Sequence, residues 1–319
     1  MKRVGKTLSA MVALTVAAAC GGGGEEAGGL KEVTIGLVPA AVTAAIHVGI
    51  DQKFFEAEGL KLTVETGQGG AALLPAVSSG QMEFASSTPV SLLLARDRGL
   101  DVRVIAPWTG DGTSAGGTVK SSNVVLAKDP AVRSAKDLEG RTVAINALRS
   151  VGDLTIREAV RHAGGNPDRV SFVEMGFADM PGALAQGHVD GIWTAEPFIS
   201  TLVAKGNHAV KETNNSDAVP DMATQLIFTS KKLADNDPEL VAAMTRALNK
   251  TLVHVKENPE KVRAHVPTVL KQLDPEIVKR LDLDVFETEV RRAPLERIGQ
   301  LLELEKWINS PADVGGLLP

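Results

Sequence analysis

From Glu32 onward, short runs of apolar and β-branched residues alternate with longer stretches whose apolar positions recur every three or four residues. The short runs fit strands and the longer stretches fit amphipathic helices. Strands are predicted at residues 32–38, 60–66, 82–86, 102–106, 123–127, 142–146, 170–174, 191–194 and 224–229. Residues 151–163 illustrate the helices: Leu154, Val160 and Ala163 form an apolar stripe, while Arg157, Glu158 and Arg161 take the wet side. Beyond about Lys231 the pattern reads as wholly helical, over 238–258, 259–270, 275–283 and 294–308. Each of these stretches opens on a proline, whose missing N–H costs nothing in a first helical turn. Strands and helices in this alternation predict an α/β protein with largely parallel sheets.

Two segments about 107 positions apart share a pattern. Residues 76–85 (AVSSGQMEFA) and 183–192 (ALAQGHVDGI) both read as a helix end, a glycine cap and a strand carrying an acidic residue. Two similar α/β units explain this, although any helix-to-strand turn looks alike.

The amino end has a different character. Lys2, Arg3 and Lys6 precede an apolar run over residues 8–19, and Ala17, Ala18 and Ala19 are small enough for a signal peptidase. That run is too short for a stable membrane span. Cys20, the only cysteine, stands where the leader would end, as in a lipobox whose thiol is lipidated. Lipoboxes usually carry leucine three positions earlier, where Ala17 stands, so plain secretion is the alternative. The expected organisation is a signal peptide over 1–19 and a glycine-rich tether over 20–29. The product would be extracytoplasmic, in the periplasm or on the outer face of the cell membrane, held there by lipid on Cys20.

Composition narrows the function. The chain has 319 residues with 34 basic and 39 acidic side chains; the leader removes three basic ones, leaving a net charge of −8. An acidic surface argues against a nucleic-acid partner. One cysteine excludes a disulfide scaffold and a thiolate metal site. The six histidines show no ligand spacing, so neither a metal nor another cofactor is expected.

Two glycine motifs have the wrong surroundings for chemistry. Gly112-Thr113-Ser114-Ala115-Gly116 matches the G-x-S-x-G nucleophile elbow, but another β-like run follows it instead of the required helix, which favours a glycine-rich connection. Gly67-Gln68-Gly69-Gly70-Ala71-Ala72 matches a dinucleotide fingerprint and opens a helix at Ala71, yet follows the second strand and lacks the acidic residue that closes such a site. Its glycines still let a ligand approach a helix N-terminus.

Tyrosine is absent, so the tryptophans stand out. Trp108 and Trp193 are placed at the carboxyl ends of strands, where open α/β sheets bind ligands. Each either caps its own core or stacks on a flat ligand. Ser87, Thr88, Asn146, Ser150 and Asp153 fall at the same strand ends, where helix capping is the default for the hydroxyls and Asp153. Glu196 follows Trp193 closely, and a carboxylate beside an indole suits a ligand with N–H donors or positive charge. Arg149 is the lone cation of this set.

The stretches LEGRTVAIN (138–146), GFADMPGAL (176–184) and WTAEPF (193–198), with Phe54, Phe55, Glu58-Gly59-Leu60 and residues 77–85, resemble the substrate-binding proteins of ABC importers. The group they resemble is the nitrate, sulfonate and taurine set, which also holds binders of thiamine and riboflavin precursors. The resemblance implies a two-lobed periplasmic-binding-protein fold of type II, with a ligand cleft between lobes of parallel or mixed sheets. Lobe one would comprise 30–120 plus 221–319 and lobe two 121–220. Carried over by position, the pocket residues are Thr43, Gln68, Ser87, Thr88, Trp108, Asn146, Ser150, Trp193 and Glu196. No catalysis is implied.

The partners implied are a small solute, a permease and its cytoplasmic ATPase, with the binder itself a monomer. Nitrate and sulfonates would want a cationic site that only Arg149 offers, so a heterocyclic or amine-bearing solute is expected. A sulfonate, taurine or nitrate type of anion binder of the same family is one alternative, and a ligand-sensing subunit is another. A pyrimidine-synthase-type enzyme is disfavoured, because it needs a cysteine-rich iron site. Trp193→Ala and Glu196→Gln are expected to weaken binding with little change in melting temperature.

Overall fold

The computed structural model describes residues 29–67, 69–111, 123–271 and 273–318. The first strands are β1 (Lys31–Leu37), β2 (Leu60–Thr66), β3 (Phe84–Ser87) and β4 (Val102–Gly110), interleaved with helices α1 (Ala44–Asp51), α2 (Gly70–Ser79) and α3 (Pro89–Asp97). There follow β5 (Val124–Ala127), β6 (Thr142–Ile145), α4 (Val151–His162), β7 (Ser171–Glu174), α5 (Met180–Gln186), β8 (Gly191–Thr194), α6 (Phe198–Ala204), β9 (His208–Ala209) and α7 (Asn215–Ala218). The chain continues through β10 (Ala223–Ser230), α8 (Lys231–Asn236), α9 (Pro238–Glu257), α10 (Pro259–Val269), α11 (Pro275–Arg280), β11 (Val285–Phe286), α12 (Arg292–Leu304) and α13 (Val314–Leu317).

Two mixed sheets result, ordered β11-β4-β10-β3-β1-β2 and β7-β6-β8-β5-β9. In each, one strand lies parallel between two others: β1 between β2 and β3, and β6 between β7 and β8. Next comes one antiparallel strand, β10 against β3 in the first sheet and β5 against β8 in the second. The predicted repeat is thus a repeat of topology. Its punctuation is local: Gly80 and Gly187 take φ of 79° and 73°, and the amides after them, Gln81 and His188, both close 3.0 Å bonds to carbonyls five residues back. Central strands β3, β5 and β8 are buried along their whole length, whereas edge strands β2 and β7 keep exposed positions, as expected where helices cover both faces of a sheet centre.

Capping explains several helix starts. Thr88 accepts the Ser91 amide at 3.2 Å ahead of Pro89, and Asp237 accepts the Leu240 amide at 3.1 Å ahead of Pro238. The carboxyl-terminal part departs from the wholly helical expectation. The helix predicted over 275–283 stops at Arg280, and Val285 and Phe286 pair antiparallel with Gly110 and Thr109 of β4. The cause is the alternation Leu281-Asp282-Leu283-Asp284, which buries both leucines and holds the backbone extended.

The apolar core ties the sheets together. One cluster joins Leu92 and Phe228 of the first sheet's layer to Val143 and Trp193 of the second's. A second cluster gathers β1, α1 and α9 around Trp108. At the rim, α4 and α12 share ions. Glu158, with 2% of its side chain exposed, accepts from Arg161 and from Arg297 at 2.6 Å; Glu305 accepts from Arg161 and from Arg157 at 3.4 Å. Among the described residues no helix is long and apolar enough to cross a membrane.

Candidate functional site

The parallel strands of both sheets end around one cavity. It is lined from the first sheet by Val38, Ala40, Thr43, Ser86, Thr88 and Trp108, and from the second by Asn146, Ser150, Trp193 and Ala195. About 100 Å³ is open to the centres of water molecules, and since one water needs roughly 10–15 Å³ on that measure, the space suits a small organic molecule. The first turns of α2 and α4 contribute Gly70, Ala71 and Val151, so backbone amides face part of the wall.

Strand irregularity supplies further polar groups. The register between β10 and β4 slips on either side of Gln225, where Pro107 lacks an amide to pair. Adjacent strand residues normally point to opposite faces, but with this bulge both Thr224 and Gln225 line the cavity.

Of the residues singled out in the sequence, Thr43, Thr88, Trp108, Asn146, Ser150 and Trp193 line the cavity. Three are occupied locally: Thr43 donates to the Val38 carbonyl at 2.5 Å, Ser150 to the Ala147 carbonyl at 2.6 Å, and Thr88 caps α3. Trp108 is 1% exposed, edge-on to Phe286 with ring centroids 6.2 Å apart, so it serves its core and the cavity wall together. Trp193 packs beside Phe177 with centroids 6.1 Å apart, and a Cβ on Gly152 would lie only 2.7 Å from its ring. At 2% exposure this indole is core, which corrects the expectation that Trp193→Ala leaves stability alone.

Two expected residues lie outside the lining. Ser87 is fully buried beneath Gly70, where a Cβ would come within 2.6 Å of the Ser87 Cα. Glu196 faces α6 instead: Ser200 donates to it from its hydroxyl at 2.6 Å and its amide at 3.1 Å. A carboxylate four positions before a helical serine is satisfied by the first turn, which outcompetes the cavity for it. Arg149 is exposed with φ 51° and does not line the cavity. The helix at the glycine motif opens at Gly70, one residue earlier than expected. Cys20, Gln68 and the 112–116 motif lie outside the described residues.

Sequence reading missed Asp284, the one charged residue lining the cavity among the described residues. Burial holds its carboxyl well above the ordinary carboxylate range, repulsion from Asp111, Glu196 and Asp282 adds to this, and a Thr224 hydrogen bond partly offsets it. Burial also raises Glu196, against the lowering effect of the Ser200 bonds. The signal was present as the Leu-Asp-Leu-Asp alternation, which puts both aspartates on the side away from the core.

The cavity wall also contains polar atoms with no partner in the protein: Asn146 Oδ1, Gln225 Oε1, Trp193 Nε1 and Asn215 Nδ2. Buried polar groups are nearly always paired, so these four are the atoms that a bound molecule or water would satisfy.

The raised Asp284 has a measurable consequence. The native state keeps a proton that the unfolded chain has lost, so the stability from this group is full below about pH 4 and declines as pH rises through the raised value. Asp284→Asn is therefore expected to raise the ligand-free melting temperature relative to wild type at about pH 8, with a smaller gain at about pH 5. Each ~1 kcal/mol relieved reads as roughly 2–4 °C. A constant difference at both pH values would count against the buried, repelled carboxyl.

The profile of the family described as NMT1/THI5 like matches residues 41–262. A formylaminopyrimidine-binding protein from Halalkalibacterium halodurans is 24% identical over 264 residues, covering 80% of this chain and 76% of that protein. Among solved structures, the alkanesulfonate-binding protein of Xanthomonas axonopodis pv. citri, bound to MOPS, superposes with a TM-score of 0.74 at 17% identity, covering 92% of this chain and 99% of its own. The periplasmic nitrate-binding protein of Synechocystis PCC 6803 gives a TM-score of 0.75 at 10% identity, covering 91% and 86%. The two-sheet architecture is that of the periplasmic binding proteins.

Proposed function

The chain belongs to the NMT1/THI5-like family, and on that premise we propose that it is the extracytoplasmic solute-binding component of an ABC importer. It captures a small organic solute in the cavity between the sheets and delivers it to a permease driven by a cytoplasmic ATPase. In this reading the sheets are the two lobes, 30–120 plus 221–319 and 121–220, and the chain crossings near 121–127 and 224–229 are the hinge. Cys20 carries the lipid that holds the protein at the membrane, and residues 20–29 are the tether. No residue acts as a catalyst.

The observation that carries the reading is the set of four unpartnered polar atoms around a cavity walled by two indoles from opposite sheets. Such a guest touches both sheets at once, and contacts made only in the closed arrangement stabilise it. The indoles favour a flat or apolar body, and the polar atoms fix its orientation.

Thermal unfolding of the secreted chain against pyrimidines, flavin precursors, amines, sulfonates, nitrate and aromatic acids tests this. A solute at a hundred times its Kd adds about 2.7 kcal/mol, a rise of roughly 5–10 °C. A rise confined to one chemical class is the expected outcome. A well-folded protein that responds to no member of the panel, and whose solution scattering none of them changes, would remove the solute-capture reading.

A further inference from the structure

The solute-binding reading leaves open which charge the cavity prefers, and the chain's carboxyl-terminal part bears on this. Asp284 lies outside the segment matched by the family profile, between α11 and β11, and reaches the cavity only because Val285 and Phe286 are pinned to β4. Behind it stand the carboxyls of Asp111, Glu196 and Asp282, all close enough to repel it. Neither lysine, arginine nor histidine lines the cavity among the described residues. A carboxylate or sulfonate guest would meet this acidic wall without a counter-charge to offset it.

A cation meets the reverse situation. The carbonyl oxygens of Asn146 and Gln225 lack partners and can accept N–H donors, and the Trp108 and Trp193 rings line the same cavity. The unpartnered Trp193 Nε1–H and Asn215 amide, on residues 2% and 0% exposed, await an acceptor on the same guest. We infer that the cavity selects solutes that are cationic when bound, small organic amines or protonated nitrogen heterocycles with an acceptor atom at the other end, and that Asp284 is their counter-ion. This rests on the solute-binding reading and sharpens it.

The test uses matched small probes on the secreted chain by titration calorimetry: benzylamine, benzamidine and 4-aminopyridine against benzyl alcohol and benzoate. The cations are expected to bind at least about tenfold tighter than the alcohol, with benzoate weakest. Asp284→Asn should reduce cation affinity by roughly 30-fold or more, as losing one partner of a buried charge pair does, while moving benzyl alcohol less than about threefold. Benzylamine stays charged to about pH 9, and Asp284 gives up the proton it holds in the ligand-free protein to pair with it, so binding should release a proton and weaken on acidification. Unfolding of Asp284→Asn, expected to be no easier than wild type, separates lost binding from lost fold.

Tighter binding of benzoate or the alcohol, equal cation affinity in Asp284→Asn, or no cation binding at millimolar concentration would each overturn the inference. The wider solute panel keeps this distinct from the underlying reading. An anionic or neutral solute that raises the melting temperature there leaves solute capture standing and removes charge selection alone.

Discussion

Trp193→Ala is expected to be the most damaging single change in the cavity, losing about 3–5 kcal/mol of stability, the range for deleting a buried aromatic ring. The indole is 2% exposed, belongs to the cluster that joins the two sheets, and lies against Phe177 and Gly152. Removing it opens a void that neither β8 nor α4 can fill, since both are pinned by their own hydrogen bonding. Melting should fall by roughly 10 °C, and solute affinity should be lost with it. Trp193→Phe, which retains a ring, should recover much of the stability and little of the affinity, because only the indole carries the unpartnered Nε1 donor. The complementary change, Gly152→Ala, pushes a methyl against the ring and is expected to cost about 1–3 kcal/mol by overpacking. A Trp193→Ala protein that melts within about 2 °C of wild type would show that the ring is not part of the core.

The second large effect is expected at the rim. Glu158 lies on α4 with 2% of its side chain exposed, yet its carboxylate meets Arg161 on its own helix and Arg297 on α12. Arg161 and Arg157 in turn reach Glu305 at the carboxyl end of α12, and Arg157 holds Asp153 at 2.7 Å in the first turn of α4, next to the cavity. Glu158→Ala leaves Arg161 and Arg297 without their shared acceptor. Breaking a fully buried pair costs roughly 3–5 kcal/mol; here about 2–3 kcal/mol is expected, since Arg161 and Arg297 are 33% and 42% exposed and can be rehydrated. Denaturant unfolding should show the loss. Because the network joins a helix of each sheet's layer, solution scattering of the ligand-free variant should also show a more open molecule. Glu158→Ala with wild-type stability in low salt would mean that these ions are solvated and contribute little.

Both effects depend on packing between the sheets, and this is where sequence reading reached its limit. Sheet centres were legible because a strand covered on both faces is a short apolar run, and residues 191–194 appear as a strand with the predicted bounds. Helix starts were legible where a proline follows a capping side chain, as at Thr88 and Pro89. Pocket residues such as Asn146, Ser150 and Trp193 were legible for a topological reason: in a parallel sheet the carboxyl ends gather at one edge, so any polar or aromatic residue there is a candidate. Glu196 and Ser87 occupy the same kind of position and still miss the cavity. The first is claimed by Ser200 and the second lies under Gly70, and both facts depend on side-chain directions that no periodicity encodes.

The sequence by itself therefore determined the alternation of strands and helices, the duplicated glycine-capped turns, and the sheet edge at which the cavity lies, because these follow from local burial and backbone preference. Only the tertiary structure decided which acid lines the cavity. Asp284 comes from a segment that looked helical, is held extended because Leu281 and Leu283 are buried in the core, and joins β4 from more than 170 positions away in the chain. The same is true of the acidic neighbours that raise its proton affinity and of the ions that join α4 to α12. Charges distant in sequence interact according to their separation in space, which is fixed only when the two sheets pack.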